Sequence, residues 1–400
     1  MAGLALSGLV LLSPDLTLAP IHAGDIQVTG APVDIAAEPG RTARGRVRLP
    51  DGGLPAPTTA PAPVPVDRPG TIDARQFVAA LEAARSLGAA AGVSFAAVRD
   101  GEVVWSGGAG RHRASSTEID ADDPLVIGSL TKTFVAATVL QLVEEGRLSL
   151  SDSVRDLLPA QTTLSPKITI RQLLDHTSGL ADVFNDTTRL GLEEQPERAW
   201  TPAEVMKTLH APWYKPGEGW AYANTNYFLL GLVIERVTGS TLADELTRRF
   251  LGPLGLESTR LLTSAPDDGG PLAPAWTTIF WASGAMTAYA TDLARWGDAL
   301  YGGRVVNDGS SAEMRRFNSH EYGLGLQRIE VPGAVGEGHT GLLNTYTSML
   351  LHLPEQDVTL ALLVNRSHVD LGGMLAARPA NGPSLLELLG VKRATPVVDD

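Results

Sequence analysis

Ser129-Leu130-Thr131-Lys132 sets a hydroxyl and an amine three residues apart. On a helix, positions i and i+3 share a face, so the two side chains can meet. The N-terminal end of a helix disfavours a cation. Val126, Ile127, Phe134 and Val135 flank the motif and favour desolvation of the amine. Both effects push Lys132 toward its neutral form, which is the form that can take a proton from a serine attacking a carbonyl. The chemistry indicated is acyl transfer through a serine nucleophile. The pattern occurs once in the chain. Taken alone, it fits a capping serine and a surface lysine equally well.

Two further groupings could complete such a site. In Tyr222-Ala223-Asn224, residues i and i+2 of an extended loop can point the same way. A phenol can carry a proton if a nearby cation lowers its pKa. A side-chain amide can hold a substrate amide by both its donor and its acceptor. In His339-Thr340-Gly341, a glycine beside a strand edge admits a close backbone approach, and such an edge can pair with a peptide-like substrate. Singly, these read as a packed aromatic with a cap, and as a turn with a surface histidine.

The elements that must position these groups follow from pattern. Ala74–Leu87 reads as an amphipathic helix. Val93–Val98 and Glu102–Gly107 are strands joined by Asp100-Gly101, a strong hairpin signal. Ser129–Glu145 is a nearly all-apolar helix and should be buried on most sides. Helical patterns continue at Ile170–Leu174, Pro202–Leu209, Tyr227–Val237 and Thr291–Tyr301. Strand-like runs follow at Tyr322–Glu330, Leu343–His352 and Val358–Val364, then a short helix at Ser384–Leu389. The order predicts an α+β unit: an antiparallel sheet built from both ends of the region, flanked by helices, with a mostly helical insert over about 129–274.

Composition narrows the function classes. The 400 residues contain no cysteine, which removes disulfide scaffolds, thiolate metal sites and a cysteine nucleophile. A formal charge of −13 offers no footprint for a phosphate backbone, so nucleic acid is not an expected partner. The eight histidines are scattered and no H-e-x-x-h zinc pattern is present, so neither a metal nor another cofactor is expected. A G-x-S-x-G elbow is also missing, which disfavours the α/β-hydrolase fold. Gly336 to Gly341 matches the spacing of a dinucleotide loop but lacks the preceding strand and the helix start, so it is set aside.

At the N-terminus, Ala2 to Leu12 is apolar but too short to span a bilayer. Residues 1–23 read as a signal peptide with Ile21-His22-Ala23 as its cleavage site. No Lys or Arg precedes Arg41, so the leader reads as truncated at its start. Seven prolines between Pro50 and Pro69 make 24–70 an extension and linker. The catalytic unit is expected over 71–393. Secretion or residence in the cell envelope follows from the leader; a cytoplasmic protein with a stray apolar start is the alternative.

The order and spacing of the three motifs resemble the penicillin-recognising serine hydrolases: serine D-Ala-D-Ala carboxypeptidases, class C β-lactamases and related esterases. The resemblance extends through LLDHTSGL (Leu173 to Leu180), NTNYFLLGLVIERVTG and YGLGL (Tyr322 to Leu326), and covers about residues 72 to 390. It implies a β-lactamase-like fold, Ser129 as nucleophile, and Lys132 taking its proton or holding the base in place. Tyr222 would be the base and acid at the leaving group. Asn224, Trp281, His339, Thr340 and Gly341 would bind substrate. The backbone N–H groups of Ser129 and Leu342 would form the oxyanion hole. The implied partners are D-Ala-D-Ala peptides, β-lactams or esters, and a non-catalytic binding relative on the same fold remains open. Trp281 reads equally as core packing, and His176 reads as a helix cap.

One departure bears on substrate. The carboxypeptidases that the sequence resembles carry an arginine directly after the YGLGL-like strand, suited to a terminal carboxylate. Here Gln327 holds that position and Arg328 follows. Neighbours on a strand face opposite sides, so either a bulge re-aims Arg328 or the carboxylate contact is missing.

Overall fold

The computed structural model describes residues 73–113, 117–161, 163–262 and 272–392. The expected leader and linker lie outside them. Helix α1 (Ala74–Leu87) opens on an Asp73 cap, whose carboxylate accepts from Arg75 N. β1 (Gly92–Arg99) and β2 (Glu102–Gly110) then form the expected hairpin. Asp100 and Gly101 both take positive φ, 52° and 79°, as a two-residue turn of this hand requires.

The principal sheet is antiparallel in the order β2-β1-β9-β8-β7-β6. Its later strands are β6 (Gln327–Val331), β7 (Ala334–Leu343), β8 (Tyr346–Leu353) and β9 (Val358–Val364). The first hairpin joins this block through β1 against β9, Val93 opposite Val364. All seven residues of β9 are buried. Alternation explains this: Leu360 and Leu362 pack with α1 residues Phe77 and Leu81, while Ala361 and Leu363 pack into the core that holds Phe134 and Trp296. A sheet covered on both faces gives continuous apolar runs rather than polar alternation. A small second sheet takes the order β3-β5-β4, from β3 (Leu125–Val126), β4 (Arg260–Leu261) and β5 (Met286–Ala288).

Helix α2 (Thr131–Glu144) buries most of its circumference, as its sequence requires. Its polar side chains face inward with partners: Thr133 Oγ1 donates to Leu130 O and accepts from Trp296 Nε1. Between β3 and β5 every described element except β4 is helical. No helix among the described residues is long and apolar enough to cross a membrane.

Three differences from the expected elements bear on the site. The Ser129 helix starts as one 3₁₀ turn (Gly128–Leu130) before α2 begins. The strand-like run from Tyr322 becomes β6 only at Gln327. β7, which takes in Gly336 to Gly341, is absent from the expected strands, because three glycines disguise a strand whose backbone lies close to its neighbours. A Cβ on Gly338 would fall inside contact distance of Leu350 O.

Candidate active site

Gly128 ends β3's approach with φ 53° and turns the chain so that Ser129 stands at the start of the 3₁₀ turn. Lys132 lies one turn on, fully buried. Its Nζ is 3.0 Å from Ser129 Oγ, 2.9 Å from Asn224 Oδ1 and 2.7 Å from the Ser283 carbonyl. Burial lowers its pKa from an ordinary 10.5 to about 7, partly opposed by the negative charge of Asp182. In the neutral amine, two N–H bonds go to Asn224 and Ser283. The remaining lone pair then faces the Ser129 hydroxyl.

Asn224 begins the Asn224–Thr238 helix. Its Oδ1 accepts from Lys132, while its Nδ2 and backbone N–H donate to Asp182 Oδ2 at 3.2 and 3.1 Å. Asp182 also accepts from Phe184 N, and burial raises its pKa. The amide expected to bind substrate thus also bridges a buried carboxylate to the lysine. Asp182 and Ser283 escaped the sequence reading. An acid between Ala181 and Val183 in apolar text was the available signal; the Ser283 carbonyl, being backbone, left none.

The Tyr222 ring lies 4.8 Å from Lys132 Nζ. Its hydroxyl is buried and makes no hydrogen bond of good geometry among the described residues. Burial pushes the phenol far up and Asp182 adds to this, while the nearby Ser129 hydroxyl pulls it back. Tyr222 is therefore a neutral phenol beside an amine poised near neutrality.

β7 forms the opposite wall. A Cβ on Gly341 would meet Ile127 O and Ser348 Oγ at 2.2 Å, and one on Gly128 would meet Leu342 N at 2.9 Å. The backbones at 127–129 and 341–342 therefore run against each other, as two converging N–H groups require. Thr340 donates from N and Oγ1 to Gln327 Oε1 at 2.9 and 3.1 Å. The β6–β7 register is continuous, Gln327 opposite Gly338 and Arg328 opposite Glu337, without a bulge. Arg328 points to Glu321, 3.8 Å away at the surface.

His339 is buried, with Nε2 2.9 Å from Tyr322 Oη and Nδ1 2.6 Å from Thr340 O. Both nitrogens are engaged, so it presents none to a substrate: the inward face of β7 is packed against Tyr322. His176 caps no helix end; Asp175 does. It takes φ 62° and is buried beside Tyr222, with ring centroids 4.3 Å apart. Trp281, at φ 29°, interrupts the Pro274–Gly284 helix two residues before the Ser283 carbonyl. Its ring lies edge-on to Phe228 and over Gly231, on the helix that starts at Asn224.

Comparison with known proteins places the fold among known families. A family model described as Beta-lactamase matches residues 77–379. Penicillin-binding protein 4 of Amycolatopsis lactamdurans is 29% identical, with 68% of this chain and 80% of that protein aligned. A D-aminopeptidase of Brucella anthropi is 27% identical over 68% of this chain, but the match spans only 55% of its own length. Among solved structures, a D-stereospecific amidohydrolase from Streptomyces sp. has a TM-score of 0.65 and 29% identity, covering 76% of this chain and 98% of that one.

Proposed function

The chain belongs to the beta-lactamase family and is a serine hydrolase, and from that premise we propose that it cleaves short D-amino-acid amides and peptides through an acyl-enzyme on Ser129. Neutral Lys132 takes the Ser129 proton as the oxygen attacks the carbonyl carbon. The developing oxyanion is held by the N–H groups of Ser129 and Leu342. Tyr222, a neutral phenol beside Lys132, passes a proton to the departing nitrogen and is reprotonated from the Lys132 ammonium. Water then cleaves the ester, with the same groups working in reverse. The observation that carries this reading is the buried lysine, with its pKa near 7 and its nitrogen 3.0 Å from the serine hydroxyl.

The choice of amide over free carboxylate rests on β6. Gln327 is occupied by Thr340 and Arg328 is turned away to Glu321, so neither offers a bidentate clamp for a substrate carboxylate. The relatives named for D-aminopeptidase and D-stereospecific amidohydrolase activities point the same way. D-Ala-D-Ala carboxypeptidase or β-lactam hydrolysis is the second reading, favoured by the penicillin-binding relative.

One purified sample should be assayed on a D-amino-acid amide, its L-enantiomer, a D-Ala-D-Ala peptide and a chromogenic lactam. We expect turnover of the D-amide, little of the L-amide, and a higher kcat/KM for the D-amide than for the peptide. A peptide rate above the amide rate would return the enzyme to the carboxypeptidases.

Gly128→Ala tests the oxyanion hole. Its new methyl would lie 2.9 Å from Leu342 N on a backbone at φ 53°, so the Ser129 turn and β7 must separate. Loss of one oxyanion donor typically costs about 10²–10³-fold in kcat, and we expect a loss of that order in acylation by a p-nitrophenyl ester. Near-normal acylation would place the oxyanion elsewhere.

A further inference from the structure

Beneath Tyr222 runs a chain of buried polar groups that the proposed proton path does not use. Ser178 Oγ donates to Asn226 Oδ1 at 2.6 Å. Asn226 Nδ2 lies 2.9 Å from His176 Nδ1, His176 Nε2 lies 3.2 Å from Tyr322 Oη, and Tyr322 Oη lies 2.9 Å from His339 Nε2. His339 Nδ1 ends the chain on Thr340 O. All five side chains are buried.

Only one direction of donation satisfies these contacts. His176 Nδ1 faces two N–H donors, those of Asn226 and of Ala223 at 3.2 Å, so it accepts and Nε2 carries the proton. His339 Nδ1 faces a carbonyl, so it donates and Nε2 accepts. The Tyr322 hydroxyl therefore accepts from His176 and donates to His339. A second proton on either ring would set donor against donor. Buried polar groups cost stability unless each finds a partner, and an apolar core would avoid that cost. Here every member is satisfied, on four separate chain segments.

The chain's contacts suggest its purpose. His176 packs against the Tyr222 ring and accepts the Ala223 N–H; His339 holds the Thr340 carbonyl, two residues before Leu342. We propose that His176, Tyr322 and His339 form a neutral, one-way strut that fixes the Tyr222 phenol and the β7 wall in register over Ser129, as positioning residues for acylation. This rests on the serine-hydrolase reading above. The ionisable groups facing the strut are Lys132 from α2, Tyr222, Tyr227 from the Asn224–Thr238 helix, and Asp175. Burial and the Lys132 charge hold His339 down to about 3 and His176 well below its ordinary value. The strut thus keeps its polarity while Lys132 titrates beside it.

The test is Tyr322→Phe in the full chain, with fluorophosphonate labelling followed in time. We expect labelling to reach the wild-type end point, which reports the folded fraction. The rate should fall about 10- to 100-fold, the cost of a small misplacement. A paired comparison covers misfolding: His339→Gln keeps an acceptor for the Tyr322 hydroxyl and should label at least severalfold faster than His339→Leu. A wild-type rate in Tyr322→Phe, or equal rates in the two His339 variants, would overturn the strut alone. A wild type that never labels would overturn the Ser129 reading and the strut with it.

Discussion

Ser129→Ala will leave a folded protein that takes no covalent label and has lost turnover by about 10⁶-fold, the cost of removing the nucleophile from a comparable serine hydrolase. The size follows from how the site is built. Ser129 Oγ is the hydroxyl 3.0 Å from the Lys132 amine, at the N-terminal end of the turn that runs into α2. Buried serines nearby are already committed: Ser178 donates to Asn226 and Ser283 to the Phe280 carbonyl. Neither can replace the lost oxygen without breaking a buried hydrogen bond. Residual turnover would come from the oxyanion donors and from binding alone. Intact-protein mass after exposure to a fluorophosphonate decides the matter. A full mass increment on Ser129→Ala would move the nucleophile to another serine.

The residues proposed to carry side-chain chemistry were legible because their spacing is local. Ser129 and Lys132 are three apart, and Tyr222 and Asn224 two apart, so each pair declares its geometry before any tertiary contact is known. The hairpin at Asp100-Gly101 and the nearly all-apolar α2 were legible for the same reason. What stayed hidden is long-range. The Ser283 carbonyl reaches Lys132 across 151 residues, and Tyr322 reaches His176 across 146. Backbone acceptors leave no trace in residue type. His176 looked like a cap because it follows Ile170–Leu174, yet its positive φ and its burial turn it beneath Tyr222. β7 went unrecognised because Gly336, Gly338 and Gly341 break the apolar pattern of a strand, although here glycine serves close packing against β8 and the Ser129 turn. The departure at Gln327 was visible, but whether Arg328 could be re-aimed was not. The continuous register of β6 on β7 answers that point.

Lys132→Met should slow acylation by about 10²–10⁴-fold, the usual range for a lost general base, and should also change how stability depends on pH. In the proposed mechanism the wild-type amine acts when neutral. With a pKa near 7, acylation should rise with pH through that value and level off above it. The methionine variant should lose this limb. The stability effect has its own sign. In the unfolded chain the amine keeps its ordinary pKa of 10.5, so between 7 and 10.5 the unfolded state binds the extra proton. Wild-type stability therefore rises with pH across that window. Below pH 7 the folded protein carries a buried ammonium and bears the full desolvation penalty; above 10.5 both states are neutral and the penalty is gone. Methionine carries no proton, so its stability relative to wild type should be most favourable below pH 7 and decline steadily toward pH 10. Urea melts of both proteins at pH 6.5, 8 and 9.5 measure this directly. A constant difference between them would mean that Lys132 keeps its ordinary pKa in the fold, and the amine could then not serve as the base for Ser129.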